Sequence, residues 1–252
     1  MRLKNKVAVI TGGNSGIGFG IAKEFAAEGA IGTIAGRNEE TLKNSVAALN
    51  DQFIGVKCDV TKLDNLAQMF EETERKFGKL DILIVNAGGA IGEGTAGNIA
   101  DVTEENFDKI MDLNLKSTFF TVQKSLPHLK DGASIVLVGS LAAHKPLNGL
   151  TTYGGAKAAV VNWARSFSKD LVDRKIRVNV LSPGTIDTPA FEKFGIPQDI
   201  AMEIKQTAGA ANLVERIGLP SEMGKVAVFL GSDDSSFVIG QEIVADGGVY
   251  HF

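Results

Sequence analysis

Apolar residues fall into short runs rich in Val and Ile, separated by longer stretches in which they recur every three or four positions. The run at 7–11, Val-Ala-Val-Ile-Thr, is apolar almost throughout, as a strand covered on both faces requires. Ile82-Leu83-Ile84-Val85 has the same character. Further strands are predicted at 33–35, 53–57, 134–139, 176–181 and 242–245. Helices are predicted at 17–28, 39–49, 63–77, 103–130 with a break near Asn114, 152–173 and 221–230, with a helical excursion at 189–209. Within 17–28, Ile21, Ala22 and Phe25 share one face. Repeated strand–helix–strand units with right-handed crossovers give an α/β fold, a doubly wound parallel sheet with helices on both faces. No linker, repeat or low-complexity tract interrupts the order, so the expectation is a single domain over 1–252.

Composition narrows the class. The 252 residues are 44% hydrophobic and 22% charged, which excludes a disordered chain and supports a packed core. A net charge of −4, with both signs interspersed, gives no electrostatic case for nucleic acid or an anionic membrane. The single cysteine, Cys58, is read as core, and no Cys/His cluster calls for a metal. No apolar run has the length of a membrane span, and Met1–Lys6 lead straight into the first strand without a signal-peptide pattern. The expected location is cytoplasmic.

Glycine is plentiful, at 29 residues, and clustered. In a doubly wound sheet, ligands bind beyond the carboxyl ends of the strands, so the segments after each strand matter most. The first strand runs into Thr11-Gly12-Gly13-Asn14-Ser15-Gly16-Ile17-Gly18. Gly12, Gly16 and Gly18 permit a tight turn and close approach of a pyrophosphate, with helix amides and dipole aimed at the anion. Asn14, Ser15 and Ile17 complete this candidate loop. After the second strand, an acidic residue would select NAD by binding the ribose 2′-hydroxyl. Here Gly36-Arg37-Asn38 stands instead. Arg37 offers a planar guanidinium for the 2′-phosphate of NADP, or is simply a solvated helix-entry residue. Asp59 and Val60 would sit near the adenine, although Asp59 also reads as a cap for the next helix. Asn86-Ala87-Gly88 follow the fourth strand, and their small side chains admit the cofactor.

Ser140 follows the fifth strand. Tyr153 comes thirteen residues later, and Lys157 follows at i+4 on the same helical face. An ammonium nearby favours the phenolate, so Tyr153 can exchange a proton with a carbonyl or alcohol oxygen that Ser140 also hydrogen-bonds. Each residue alone is weak evidence. Together, at one sheet edge beside a phosphate loop, they form a reaction centre.

Thr11-Gly12-x-x-x-Gly16-x-Gly18, Asn86-Ala87-Gly88, Asn114, Ser140, Tyr153-x-x-x-Lys157, Pro183-Gly184, Gly240-Gln241 and Asp246-Gly247-Gly248 occur in order. In these motifs the chain resembles the short-chain dehydrogenase/reductase family, in its single-domain Rossmann-type branch, over nearly its whole length. The resemblance implies that Tyr153 is the general acid in reduction and the base in oxidation. It implies that Lys157 also holds the nicotinamide ribose, that Ser140 polarises the substrate oxygen, and that Asn114 holds a water linking Lys157 to solvent. Pro183, Gly184, Ile186 and Thr188 would contact the nicotinamide end. The family's acidic residue after the second strand is missing, which moves the expectation from NAD to NADP.

Three loops should line the substrate site: 89–98, 141–150 and a lid at about 188–219. The first carries Glu93, and the second contains His144, read as a possible substrate contact or a solvated loop residue. The lid holds Phe191, Phe194, Ile196, Met202 and Ile204, which fits an uncharged substrate with apolar groups or merely packs the lid down. His128 is expected at the surface. The leading reading is an NADPH-dependent carbonyl reductase, equivalently an alcohol dehydrogenase. The alternatives are 3-oxoacyl-[acyl-carrier-protein] reductase, for which Lys130, Arg174 and Lys175 are the only basic hint, and a non-enzymatic NADP-sensing scaffold. Gly155, Ala158, Ala159, Asn162 and Ser166 lie opposite the catalytic face of helix 152–173, and small residues there let another helix approach. The family resemblance implies a homotetramer built on this helix and on 103–130, with a second contact near Tyr250-His251-Phe252.

Overall fold

The computed structural model describes residues 1–49, 51–90, 98–189 and 197–250. Its strands are β1 (Val7–Thr11), β2 (Ile31–Gly36), β3 (Phe53–Lys57), β4 (Leu80–Val85), β5 (Leu129–Val138), β6 (Arg177–Pro183) and β7 (Glu242–Ala245). They pair in parallel, in the order β3-β2-β1-β4-β5-β6-β7. The order reverses between β1 and β4, so the crevice for a ligand opens beyond Thr11 and Val85.

Strand alternation divides the core into two layers. Val9, Leu83, Val85, Ile135 and Leu137 face a layer formed with α3 (Leu63–Phe77), α5 (Ser117–Ser125) and α6 (Thr151–Asp170). Ala8, Ile10, Ile82, Ile84, Val136 and Val138 face the other, with α1 (Gly16–Ala27), α2 (Glu39–Ala47) and α8 (Pro220–Gly231). Ile21, Ala22 and Phe25 are fully buried, as the periodicity of 17–28 predicts. A side chain of this size contributes about 1.5–3 kcal/mol when buried.

The two segments α4 (Glu104–Met111) and α5 are joined by a π-helical turn, Asp112–Lys116, so the predicted break at Asn114 is one wide turn within continuous helix. The helical stretch stops earlier than expected, and Lys130 belongs to β5. Pro127 has no N–H to continue the ladder, so the chain tightens into the 3₁₀ turn Leu126–His128 and enters the strand at Leu129. The start of β5 bulges, because Leu80 faces Leu129 while Ile82 faces Ser134, with Gly132 at φ 81° inside the bulge. Helix 152–173 likewise ends at Asp170, followed by a 3₁₀ turn and Lys175 in the left-handed region. The excursion after β6 contains α7 (Gln198–Ala210), and the predicted helical start at Pro189 precedes residues 190–196, which lie outside the described set. No helix among the described residues is long and apolar enough to cross a membrane.

Candidate active site

At the end of β1, Gly12 and Gly16 hold φ of 64° and 52°, values that favour glycine. Added Cβ atoms have no room here. One on Gly12 would lie 2.8 Å from Asn86 Nδ2, and one on Gly18 would strike the Gly12 carbonyl. The loop is braced from β4. Thr11 Oγ1 accepts from the N–H groups of Asn86 (3.0 Å) and Ala87 (3.1 Å), while Asn86 Nδ2 donates to the carbonyls of Thr11 (2.9 Å) and Gly12 (3.3 Å). Asn86 therefore shapes the loop with its amide. Gly88 continues the same floor, where a Cβ would sit 2.9 Å from Asn114 Oδ1 and 3.4 Å from Lys157 Nζ. A side-chain-free cradle at the open amide end of α1, headed by Ser15 and Ile17, fits a pyrophosphate and the small-residue floor fits the nucleoside beyond it.

The end of β2 is set by Asn14. Its side chain occupies the space a Cβ on Gly36 would need, and its Nδ2 donates to Thr41 Oγ1 at 2.6 Å. Asn38 caps α2, accepting from the Thr41 N–H at 2.9 Å. Arg37 between them is exposed and in no ion pair among the described residues. Asp59 Oδ1 accepts from the Thr61 N–H and hydroxyl at 3.1 and 2.8 Å, so it ties the turn before α3 and does not cap the helix, whose N-cap is Lys62 without a side-chain bond; Val60 beside it is buried.

Ser140, Tyr153 and Lys157 come together at the carboxyl edge. Ser140 caps the 3₁₀ turn Leu141–Ala143, accepting from the Ala142 N–H at 3.1 Å. Its hydroxyl also hydrogen-bonds the Tyr153 phenol. Burial is the main influence on Tyr153 and pushes its pKa up, with the Ser140 hydrogen bond pulling the other way. Lys157 Nζ lies 5.8 Å from the Tyr153 ring centre and donates to the Val138 carbonyl at 2.8 Å. Burial lowers the Lys157 pKa to about 8. The expected depression of the Tyr153 pKa is therefore not found in the protein alone, where burial of the phenol raises it. Asn114 is fully buried and spends its side chain on backbone: Oδ1 accepts from the Gly89 N–H at 2.8 Å, and Nδ2 donates to the Gly89 and Ile110 carbonyls at 3.0 Å each. Its main-chain carbonyl accepts from Thr118 Oγ1 at 2.9 Å.

Pro183 ends β6, Gly184 donates its N–H to the Ala245 carbonyl, and a Cβ there would meet Asp246. Ile186 pairs with Gly218, Asp187 N–H donates to the Gly218 carbonyl at 2.8 Å, and Gly218 N–H donates to Thr185 at 3.0 Å. The two ends of the lid are therefore stitched together. Thr188 lies against Gly16, which brings the nicotinamide-end candidates next to the phosphate loop.

Several expectations change. His144 is neither solvated nor free, because its Nε2 donates to both carboxylate oxygens of Glu242 at 2.8 and 2.9 Å. His128 is mostly buried, bonded to Glu74 at 2.6 Å and stacked on Phe70. Lys130 pairs with Asp81 and Arg174 with Asp131, and both lie at the amino edge of the sheet, opposite the site. Cys58 is buried, and its thiol is pushed up to about 12, which makes it inert. Sequence reading missed Ser182 and Glu242, whose partners are far apart in the chain and follow no short spacing. Most of loop 89–98, including Glu93, lies outside the described residues, as do Phe191, Phe194, Ile196, His251 and Phe252.

Comparison with known proteins agrees with this geometry. A family model described as enoyl-(acyl carrier protein) reductase matches residues 12–250. The chain is 41% identical over 250 residues to the oxidoreductase asL5 of Sarocladium schorii, covering 98% of this chain and 97% of that one. It is 34% identical to the hydroxynaphthalene reductase-like protein Arp2 of Metarhizium brunneum, over 98% and 95% of the two chains. A solved short-chain dehydrogenase/reductase of unknown function from Caenorhabditis elegans, crystallised with cofactor, superposes with a TM-score of 0.93 at 33% identity, over 99% and 96% of the chains. A parallel sheet in this order, a glycine cradle at its switch point and a serine, tyrosine and lysine converging beside it place the chain in the short-chain dehydrogenase/reductase family of oxidoreductases.

Proposed function

We propose that the protein is an NADPH-dependent oxidoreductase interconverting a ketone or aldehyde with the corresponding alcohol. The observation that carries this reading is the meeting of Ser140, Tyr153 and Lys157 beside the cradle, where a carbonyl oxygen could accept from both hydroxyls. The bound cofactor supplies hydride chemistry. Gly12, Gly16 and Gly18 would admit its pyrophosphate, Asp59 and Val60 its adenine, Lys157 its nicotinamide ribose, and Pro183, Gly184, Ile186 and Thr188 its nicotinamide end. Tyr153, kept protonated by burial, holds the proton for the substrate oxygen. Ser140, already accepting from the Ala142 N–H, would turn its one hydrogen from the Tyr153 phenol to that oxygen and fix it in place. Because the Asn114 side chain is committed to Gly89 and Ile110, a water relay to Lys157 would run from its main-chain carbonyl.

Preference for NADPH rests on Arg37, exposed at the end of β2 and in no ion pair among the described residues, with Glu39 taken up by Lys57. A charge-assisted pair with a 2′-phosphate contributes about 1.5–3 kcal/mol, roughly ten- to a hundredfold in affinity. Exposed Ile200, Met202 and Ile204 on α7 support an uncharged substrate with apolar groups. The relative named for hydroxynaphthalene reduction makes flat aromatic ketones the first class to try. The acyl-carrier-protein alternative has lost its basic hint, since Lys130, Arg174 and Lys175 sit at the wrong edge. A scaffold role gives no reason for an intact Ser140, Tyr153 and Lys157.

The deciding experiment is a panel of ketones, aldehydes, sugars and β-ketoacyl thioesters with NADPH and NADH. Apolar ketones should be reduced with NADPH, and Arg37→Gln should weaken NADPH by the factor above while sparing NADH. Equal use of both cofactors by the parent protein would defeat the Arg37 argument. Exchange of Gly36 for Asp is a poor probe, because the Asn14 side chain fills the space it would need.

A further inference from the structure

Beneath the Ser140 turn lies a hydrogen-bonded chain that the reaction described above does not use. Glu242, the first residue of β7, is largely buried, with 13% of its side chain exposed, and it accepts from two donors. His144 Nε2 reaches both of its oxygens, and the Ser182 hydroxyl donates to Oε1. Because a carboxylate can only accept, His144 must carry its proton on Nε2. Ser182 is fully buried at the end of β6 and packs against Gly139, the residue before Ser140. His144 closes the other end of the same short turn, with its N–H on the Leu141 carbonyl at 3.0 Å. The carboxylate therefore ties together both flanks of Ser140. On its outer side, the His144 ring lies 4.9 Å from the Tyr250 ring, and Lys145 Nζ donates to the Val249 carbonyl. Asp246 in turn accepts from the N–H groups of Gly248 and Tyr250.

We propose that His144, Glu242 and Ser182 are positioning residues for Ser140, and that through them the C-terminal segment 246–250 sets the angle at which the Ser140 hydroxyl meets the Tyr153 phenol and the substrate oxygen. Nothing in the packing of a surface loop requires two donors on one nearly buried carboxylate. A buried acceptor so placed removes freedom from a turn whose other bonds are its own backbone bonds and the Ser140 cap. The proposal rests on the oxidoreductase reading for its kinetic consequence, but not for its structural one.

The test uses the full chain carrying Tyr250→Phe, which keeps a ring against His144 and leaves Tyr153 as the sole tyrosine of the original two. Tyrosinate absorbance then titrates Tyr153 alone. His144→Phe and, independently, Ser182→Ala should lower kcat about ten- to a hundredfold, the scale of a small misplacement in a reacting site, with the Kd for NADPH unchanged. His144→Gln, whose amide nitrogen can still donate to Glu242, should restore most of kcat. Both disruptive variants should also move the Tyr153 titration upward, as should Ser140→Ala, because the serine hydrogen bond favours the ionised phenol. In a Ser140→Ala background, His144→Phe should cost nothing more in kcat. A further loss there as large as in the parent, or an unmoved Tyr153 titration, overturns the proposal. If the parent reduces none of the carbonyls offered, the oxidoreductase reading fails, while the titration still decides the positioning role.

Discussion

Tyr153 and Lys157 share one physical circumstance, burial, and it acts on them in opposite directions. The phenol is held protonated and the ammonium is brought to the edge of neutrality, at about 8. Replacing Tyr153 with Phe keeps the ring and deletes the acid, so turnover should fall at least about 10²–10⁴-fold while NADPH still binds. Near-parent turnover would mean another group donates the proton. Lys157 makes the site sensitive to alkali. Between about 8 and its ordinary value of 10.5, an unfolded chain keeps this proton and the folded one releases it. Stability from this group therefore rises with pH across that window, and the cost of the buried ammonium is present in full below it. Nicotinamide ribose hydroxyls accepting from Lys157 would favour the ammonium, so NADPH binding above about pH 8 should take up a proton and weaken as pH rises. Calorimetry in two buffers of different ionisation heat would measure the uptake, and Lys157→Met should abolish it. The convergence of Ser140, Tyr153 and Lys157, which the proposed reaction uses, was legible in the sequence, because a strand end and an i+4 helical spacing are local facts. Glu242 was not, since it meets His144 across 98 positions and Ser182 across 60.

Among the elements, α1 and α8 show why the cradle stays where it is. They cross so closely that a Cβ on Gly20 would lie 2.5 Å from Pro220, and one on Gly224 would lie 2.8 Å from the Gly20 carbonyl. Glycines thus act as contact points between backbones. Gly20→Val should force the helices apart at a cost of about 1–3 kcal/mol. Since the first turn of α1 forms the cradle, NADPH affinity should fall together with the melting temperature. A melting change without an affinity change would show that the cradle is independent of this crossing. The sequence predicted every strand of the sheet, because continuous apolar runs bounded by glycine are hard to mistake. It misplaced the boundary at Lys130, where a proline turn and a bulge override the pattern, and it could not foresee that Asn14 would fill the space over Gly36.

At the scale of the whole molecule, the outer face of α6 bears on assembly. On α6, Gly155, Ala158, Asn162 and Ser166 are exposed and Ala159 is half-buried, while Phe107 and Phe119 on α4 and α5 are also partly exposed. Phe237, in the turn before β7, is completely exposed. A stripe of small residues flanked by aromatic side chains is the kind of face that closed symmetry covers. The expected state is a homotetramer, with a dimer as the next possibility, and light scattering coupled to size exclusion would read it directly. Ala159→Arg should dissociate it, and a fully active monomer at micromolar concentration would refute it. The pairing of Ile186 with Gly218 has a consequence of another kind. Because Ile186 and Gly218 pair, the excursion that leaves β6 and leads into α8 is closed at its base. Lengthening such a loop costs only slowly growing closure entropy and leaves strand register alone, provided Leu213 keeps its N–H on the Gly247 carbonyl and so its hold on the C-terminal segment. Such a joint lets a lineage exchange what the enzyme accepts while inheriting how it reacts.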